Sequence, residues 1–265
     1  MKLENTTVRV REFDHETVNK VLTVLENSQF VRITGLFDQS EIVKCRKRIE
    51  SQFSSRNDLK HNPKDADLLL SNFQKLVVGG TQGVNSTPRF LRMFYTPFMD
   101  EDKFEMHEIF RKLVLLRNRL YGLPDDFTCH GIEDGMWSAL RVNHYPRGGG
   151  FMATHSDTGT AEAVKSIGSG IYAQLILIMS KKGEDFKTGG AYIERSDGTR
   201  FFYEDECEIG DVVVYDGRIR HGVEEIDYLD PLDMSSSCGR YVAMATLFKY
   251  FEGKGDAEYR KLLKD

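Results

Sequence analysis

The chain is short of the residues that staple, anchor or recruit. Its four cysteines, Cys45, Cys129, Cys207 and Cys238, stand far apart and form no CxxC pair. That argues against a zinc ribbon or a thioredoxin-type site. The N-terminal stretch MKLENTTVRVREFD has no apolar core of the kind a secretion signal carries, so the expectation is four reduced thiols in a cytoplasmic protein. No run approaches the ~18 apolar residues that a membrane span needs. The longest, near Ile171–Met179, is interrupted by Gln174 and has the length of a strand. Basic charge is also scarce: 36 Lys and Arg stand against 41 Asp and Glu, for a net charge of -5. Both signs are interspersed and no helix face is basic, so a nucleic-acid partner is not expected. Internal repeats and low-complexity segments are absent.

What is present divides near residue 134. The first half reads mainly helical. Val18, Val21, Leu22 and Leu25 recur at helical spacing behind a candidate cap at Asp14. A strand-like piece covers Phe30–Ile33. Asp38-Gln-Ser-Glu41 has the form of a capping box and opens a helix with Ile42, Cys45, Ile49 and Phe53 on one face. Residues 56–88 are polar, rich in Asn, Asp, Gly and Ser, and read as a long loop. A further amphipathic helix runs from about Glu101 to Tyr121, stopped by Gly122 and Pro124. From Trp137 the pattern changes to eight short β-runs: Trp137–Tyr145, Phe151–Asp157, Tyr172–Met179, Ala191–Glu194, Arg200–Tyr203, Asp211–Tyr215, His221–Ile226 and Arg240–Tyr250. So many closely spaced strands behind a helical preface suggest a β-sandwich or jelly roll. A short charged helix, about Asp256–Leu263, is expected to close the chain. The expected organisation is one domain over 1–265, with 1–133 a largely helical support, 134–250 the β core and 251–265 the closing helix.

The chemistry concentrates in that second half. In His155-Ser-Asp157, residues two apart on a strand share a face, so an imidazole and a carboxylate converge. A second imidazole, His221, follows the β-run Asp211–Tyr215. Two imidazoles and one carboxylate make the facial triad of non-haem Fe(II) oxygenases, with open positions for other ligands. Zinc accepts the same ligand types, so the triad alone does not select the metal. Neither His15, His61, His107 nor His130 has a spacing partner, and His144 has the wrong parity on its run.

Five segments in order resemble the 2-oxoglutarate-dependent dioxygenase superfamily over about Trp137 to Tyr250. They are Leu140-Arg-Val-Asn-His-Tyr-Pro146, Gly148-Gly-Gly-Phe-Met-Ala-Thr-His-Ser-Asp157, Gly189-Gly-Ala-Tyr192, Glu208–Asp216 with Arg220-His221-Gly222-Val223, and Gly239-Arg-Tyr-Val-Ala-Met-Ala-Thr246. The resemblance implies a mainly β fold with helical support, built on a double-stranded β-helix (cupin-like jelly roll). It implies Fe(II) held by His155, Asp157 and His221, with 2-oxoglutarate as co-substrate and O2 as oxidant. It further implies an arginine forked onto the co-substrate's distal carboxylate, for which Arg240 is the candidate. Here residues 227–239 intervene between the distal histidine and that arginine and read as an inserted loop. Tyr145 and Asn143 share a face with Arg141 and fit the co-substrate side of the pocket, as does Gln174, a buried amide in an apolar run that needs a partner.

Arg141, Trp137, Thr158, Glu162 and Arg89 are the candidate substrate contacts. Trp137 is in phase with Arg141, although a lone tryptophan is more often core. Thr158–Gly170 and residues 79–90 read as glycine-hinged loops that could cover the pocket. The implied reaction is hydroxylation of an unactivated C–H bond in a small polar metabolite such as an amino acid or derivative. The alternatives are hydroxylation of a peptide or protein side chain, or a non-catalytic cupin-like binding module.

Overall fold

The structure, a computed structural model, describes residues 3–52, 65–77 and 88–250. The closing helix expected at 256–263, Phe53 and the glycines of residues 79–83 lie outside the described residues. Eight strands appear where the sequence placed them: β6 (Met136–Pro146), β7 (Phe151–His155), β8 (Ala173–Ile178), β9 (Gly190–Glu194), β10 (Arg200–Phe201), β11 (Val212–Asp216), β12 (His221–Glu224) and β13 (Gly239–Lys249). The three expected helices also appear, the third starting at His107 rather than near Glu101. Asp14 caps α1 (His15–Ser28) by accepting from the Thr17 amide at 2.8 Å. Asp38 caps α2 (Gln39–Ser51) by accepting from the Ser40 and Glu41 amides. The third, α4 (His107–Tyr121), ends on Gly122 with φ 70°.

The first half is less helical than its periodicity suggests. Besides the expected strand at 30–33, here β2 (Phe30–Thr34), it contains β1 (Thr7–Arg9), β3 (Phe73–Val77), β4 (Pro88–Arg89) and β5 (Leu91–Tyr95). These strands extend both sheets, in the orders β1-β2-β11-β8-β13-β6-β5-β3 and β10-β9-β12-β7-β4. The polar stretch expected to be one loop contains α3 (Asp65–Leu70) and β3. Leu68, Leu69 and Phe73 are buried there, and burial of these few side chains overrides the polar composition around them.

Alternation along the long strands divides the core. On β13, Tyr241, Ala243, Ala245 and Leu247 pack with α1, α2 and α4 on the outer side of the larger sheet. Val242 and Met244 face the space between the sheets. The strands of the larger sheet are therefore buried on both faces, which is why β8 reads as an almost continuous apolar run. The inserted loop before β13 is tied down by Asp227. Its carboxylate accepts from the amides of Lys187 and Thr188, both at 2.8 Å, and from Arg147 at 3.2 Å.

One buried cation pins α4 to the sheet. Arg117 donates to Ser138 Oγ at 2.9 Å, to the Ala245 carbonyl at 3.0 Å and to Asn118 Oδ1 at 2.8 Å. Among the described residues it has no acidic partner, and burial lowers its pKa to about 10. It remains charged at neutral pH because neutral acceptors surround it. Arg117→Met preserves bulk but strands several of those acceptors. It is expected to destabilise the protein by about 2–4 kcal/mol, read as a lower urea midpoint; a change below ~0.5 kcal/mol would contradict this account of the network.

Candidate metal centre and pocket

The site forms where β12 and β7 pair between the sheets. The register sets His221 opposite His155 but Val223 opposite Met152, so between these pairs Ala153 and Thr154 of β7 oppose Gly222 alone of β12. This bulge changes which residues face inward, and with Met152 inside it is what turns His155 inward too. Asp157 lies just beyond the strand and forms the N-cap position of α5 (Thr158–Lys165), with φ -88° and ψ 48°. Its placement thus depends on a tether rather than on strand parity: its amide donates to the Gly217 carbonyl at 2.9 Å.

The three side chains converge. His155 Nε2 lies 3.6 Å from Asp157 Oδ1, and His221 Nε2 lies 3.6 Å from Asp157 Oδ2. One ligand atom from each residue falls within 4.8 Å of the others. Both imidazoles are oriented from behind. His155 Nδ1 is 2.8 Å from the Ala153 carbonyl, and His221 Nδ1 is 2.9 Å from the Ile219 carbonyl. A carbonyl only accepts, so each Nδ1 carries the proton and each Nε2 presents a lone pair toward Asp157. Burial lowers the pKa of His221, favouring the neutral, ligating form, while Asp157 opposes that shift. A donor set of two imidazole lone pairs and one carboxylate fits a divalent metal.

The pocket extends from this triad between the sheets. Its floor has Arg240 in register with Tyr145, the guanidinium carbon 4.9 Å from the ring centroid. Arg240 Nε donates to both oxygens of Glu204, at 2.8 and 2.9 Å. Burial alone would lower the Arg240 pKa, but the Glu204 carboxylate outweighs it and the net shift is upward. Glu204 also accepts from the Ala191 amide at 2.8 Å. Gln174 lines the wall and accepts from the Tyr172 hydroxyl at 2.9 Å. Asn143 and Arg141 line it from β6.

The remaining expected contacts do not line the pocket. Trp137 packs between the sheets against Phe248, at 5.9 Å between ring centroids. Arg89 pairs with Glu225 and lies over Phe151. Thr158 and Glu162 are exposed because the expected Thr158–Gly170 loop is largely the helix α5, in which Gly159 is an ordinary helical residue. On α5 the pocket-lining threonine is instead Thr160, on the opposite side of the helix from Thr158. Sequence reasoning also missed Tyr172, Tyr203, Tyr215 and Glu204. Parity along β11, with Val213 and Tyr215 inward, was a signal for one of them; Glu204 sits in a short turn and left none. Burial pushes the phenols of Tyr172 and Tyr215 well above their usual range, with Asp157 reinforcing the effect. They stay neutral and wall the site from water. His144 faces the other side of β6, stacked on Tyr241.

No protein-family model matches the sequence, and the search of curated proteins finds no match. The likeness is to solved structures. A Shewanella oneidensis protein described as an oxygenase matches with a TM-score of 0.53 over 97% of this chain and 97% of that chain, at 10% identity. A prolyl hydroxylase from Trichoplax adhaerens, solved with a peptide fragment of the hypoxia inducible factor oxygen degradation domain, gives 0.51 over 93% and 92%, at 13% identity. SnoN, a non-heme alpha ketoglutarate dependent epimerase from nogalamycin biosynthesis, gives 0.50 over 89% and 84%, at 10% identity. At such identities the likeness establishes fold: the chain has the jelly-roll, double-stranded β-helix core that its motifs imply. Among the described residues, no helix is long and apolar enough to cross a membrane.

Gly217 joins the two arms of the site. Its amide donates to the Tyr172 carbonyl at 3.0 Å while its carbonyl holds Asp157. A Cβ at this position would lie 2.2 Å from a ring carbon of Tyr172, a fully enclosed side chain with little room to yield. Gly217→Ala is therefore expected to cost about 1–3 kcal/mol through overpacking, measured by urea unfolding. A neutral result would mean that the Tyr172 ring and the turn can separate freely.

Proposed function

We propose that this protein is a non-haem Fe(II) oxygenase that uses 2-oxoglutarate and O2, with His155, Asp157 and His221 holding the iron. The observation that carries the reading is the convergence of those three ligand atoms in a pocket whose buried end is Arg240. When bound, iron and 2-oxoglutarate supply the oxidising chemistry, in which the co-substrate becomes succinate and CO2 as a substrate C–H bond is hydroxylated.

The protein's own part is binding, orientation and exclusion of water. The Ala153 and Ile219 carbonyls fix the two imidazoles, and Gly217 fixes Asp157. Arg240 binds the distal carboxylate of 2-oxoglutarate. Glu204 takes only Nε, so the two terminal nitrogens are left for a bidentate contact. The Tyr145 ring lies against the same guanidinium and closes that end of the pocket. Asn143 and Gln174 supply the neighbouring polar wall. The substrate enters from the Arg141 side, and the polar lining at that end favours a small polar metabolite over an apolar one. Hydroxylation of a peptide side chain is the second reading, favoured by the fold likeness to the Trichoplax prolyl hydroxylase.

Two outcomes are expected. Replacing any one of His155, Asp157 or His221 by Ala lowers Fe(II) affinity by at least the roughly 10- to 100-fold seen when a ligand's supporting partner is lost, measured by anaerobic titration. Retention of full affinity in any of the three excludes this triad. Arg240→Lys keeps a cation beside Glu204 but removes the fork. It should weaken 2-oxoglutarate binding by roughly 10-fold or more at little change in thermal midpoint. Iron-, 2-oxoglutarate- and O2-dependent succinate release then separates an oxygenase from a binding module.

A further inference from the structure

The pocket contains a second arginine whose charge no acid answers among the described residues. Arg141 lines it from β6, and among the described residues no acidic side chain forms an ion pair with it. Its Nε is buried without a hydrogen-bond partner. Its remaining contacts are soft: a terminal nitrogen 3.9 Å from the Met244 sulfur, and the guanidinium carbon 5.2 Å from the Phe248 ring centroid. The two fully buried arginines near it are held differently. Arg240 is matched by Glu204, and Arg117 is enclosed by neutral acceptors. A partly desolvated guanidinium with an orphaned donor is costly to hold, and it faces open space rather than packed protein.

Its place along the strand separates it from the co-substrate end. Arg240 is in register with Tyr145, and Arg141 is in register with Met244. The two rungs are four residues apart along β6, about 13 Å of strand. Arg240 is buried and Arg141 partly exposed, so the two mark opposite ends of one pocket, deep and outer, with the His-Asp-His cluster on the facing sheet. A dicarboxylate as short as 2-oxoglutarate, held at Arg240 and reaching the metal ligands, leaves Arg141 unanswered.

Resting on the functional reading above, we propose that Arg141 binds an oxyanionic group of the primary substrate, so that the substrate class is a small carboxylate or comparable oxyanion rather than a neutral molecule. A planar fork with an open Nε edge suits bidentate capture of a carboxylate, sulfonate or phosphate. Anchoring that group at the outer end fixes which carbon of the substrate approaches the metal ligands, so Arg141 also determines the position of oxidation.

The test uses the full chain loaded with Zn(II) in place of iron and saturated with 2-oxoglutarate. A panel of amino acids, aliphatic acids, sulfonates and phosphate monoesters is titrated, each beside its neutral amide or ester, with binding read by ligand-detected NMR. The expected result is that at least one oxyanion binds, and at least about 10-fold more tightly than its neutral counterpart. Arg141→Gln should abolish that preference, Arg141→Lys should keep part of it, and 2-oxoglutarate should still bind both variants. Three results overturn the proposal: no panel oxyanion binds the loaded wild-type protein, acids and amides bind alike, or Arg141→Gln weakens 2-oxoglutarate itself by 10-fold or more, which would make Arg141 part of the co-substrate site. Failure of 2-oxoglutarate to bind the metal-loaded wild type counts against the functional reading instead, and the acid-amide comparison is then made without it.

Discussion

The pairing of β12 with β7 is the constraint on which the site depends. It sets His221 across from His155, and the bulge beside that pair turns His155 toward the space between the sheets. A regular ladder carrying Met152 inward would turn His155 away, whereas His221 faces inward with Val223 by ordinary strand parity. The third member, Asp157, has left the strand and is held by one backbone hydrogen bond to Gly217, four residues before His221. The same short turn therefore positions a carboxylate on one side and an imidazole on the other. The close approach to Tyr172 explains why position 217 of that turn has no side chain.

A second buried pair organises the far end of the pocket. Arg240 and Glu204 are both almost fully enclosed, and each makes the other's burial tolerable. An isolated buried charge of either sign would be expelled or neutralised. Glu204 takes one edge of the guanidinium and the Ala191 amide, which leaves the other edge for a ligand. The pocket is thus polar at both ends, with Tyr172, Tyr215 and Val223 walling the middle. Such an arrangement orients a ligand by its ends and keeps water from its centre.

Much of this was legible in the sequence, and the failures have physical causes. Eight strands of the second half and the caps of α1 and α2 follow from local chemistry: alternation, turn residues, and an Asp before an apolar helix face. The metal-ligand candidates were reached by assuming strand parity between His155 and Asp157, but their convergence comes from a bulge and a tether that no local pattern encodes. The strands β3 to β5 were not legible because their burial depends on sheet partners distant in sequence. Thr158–Gly170 read as a hinge from its glycines, yet Thr160, Ala161, Ala163 and Val164 bury one face and hold it helical. Trp137 shared a face with Arg141 and Tyr145, but its bulk fills the space between the sheets beyond the pocket. Glu204 left no sequence signal at all, because a lone acid in a turn gives no hint that it will be buried against an arginine 36 residues away.

The most direct test of the account is a crystal structure prepared without oxygen from protein loaded with Fe(II) and 2-oxoglutarate, with the iron located by anomalous scattering. The expected result is a single iron roughly 2.0–2.3 Å from His155 Nε2, an Asp157 carboxylate oxygen and His221 Nε2, with the distal carboxylate of 2-oxoglutarate on the terminal nitrogens of Arg240. A fourth protein ligand closing the coordination sphere, or iron bound away from these three residues, would contradict the account.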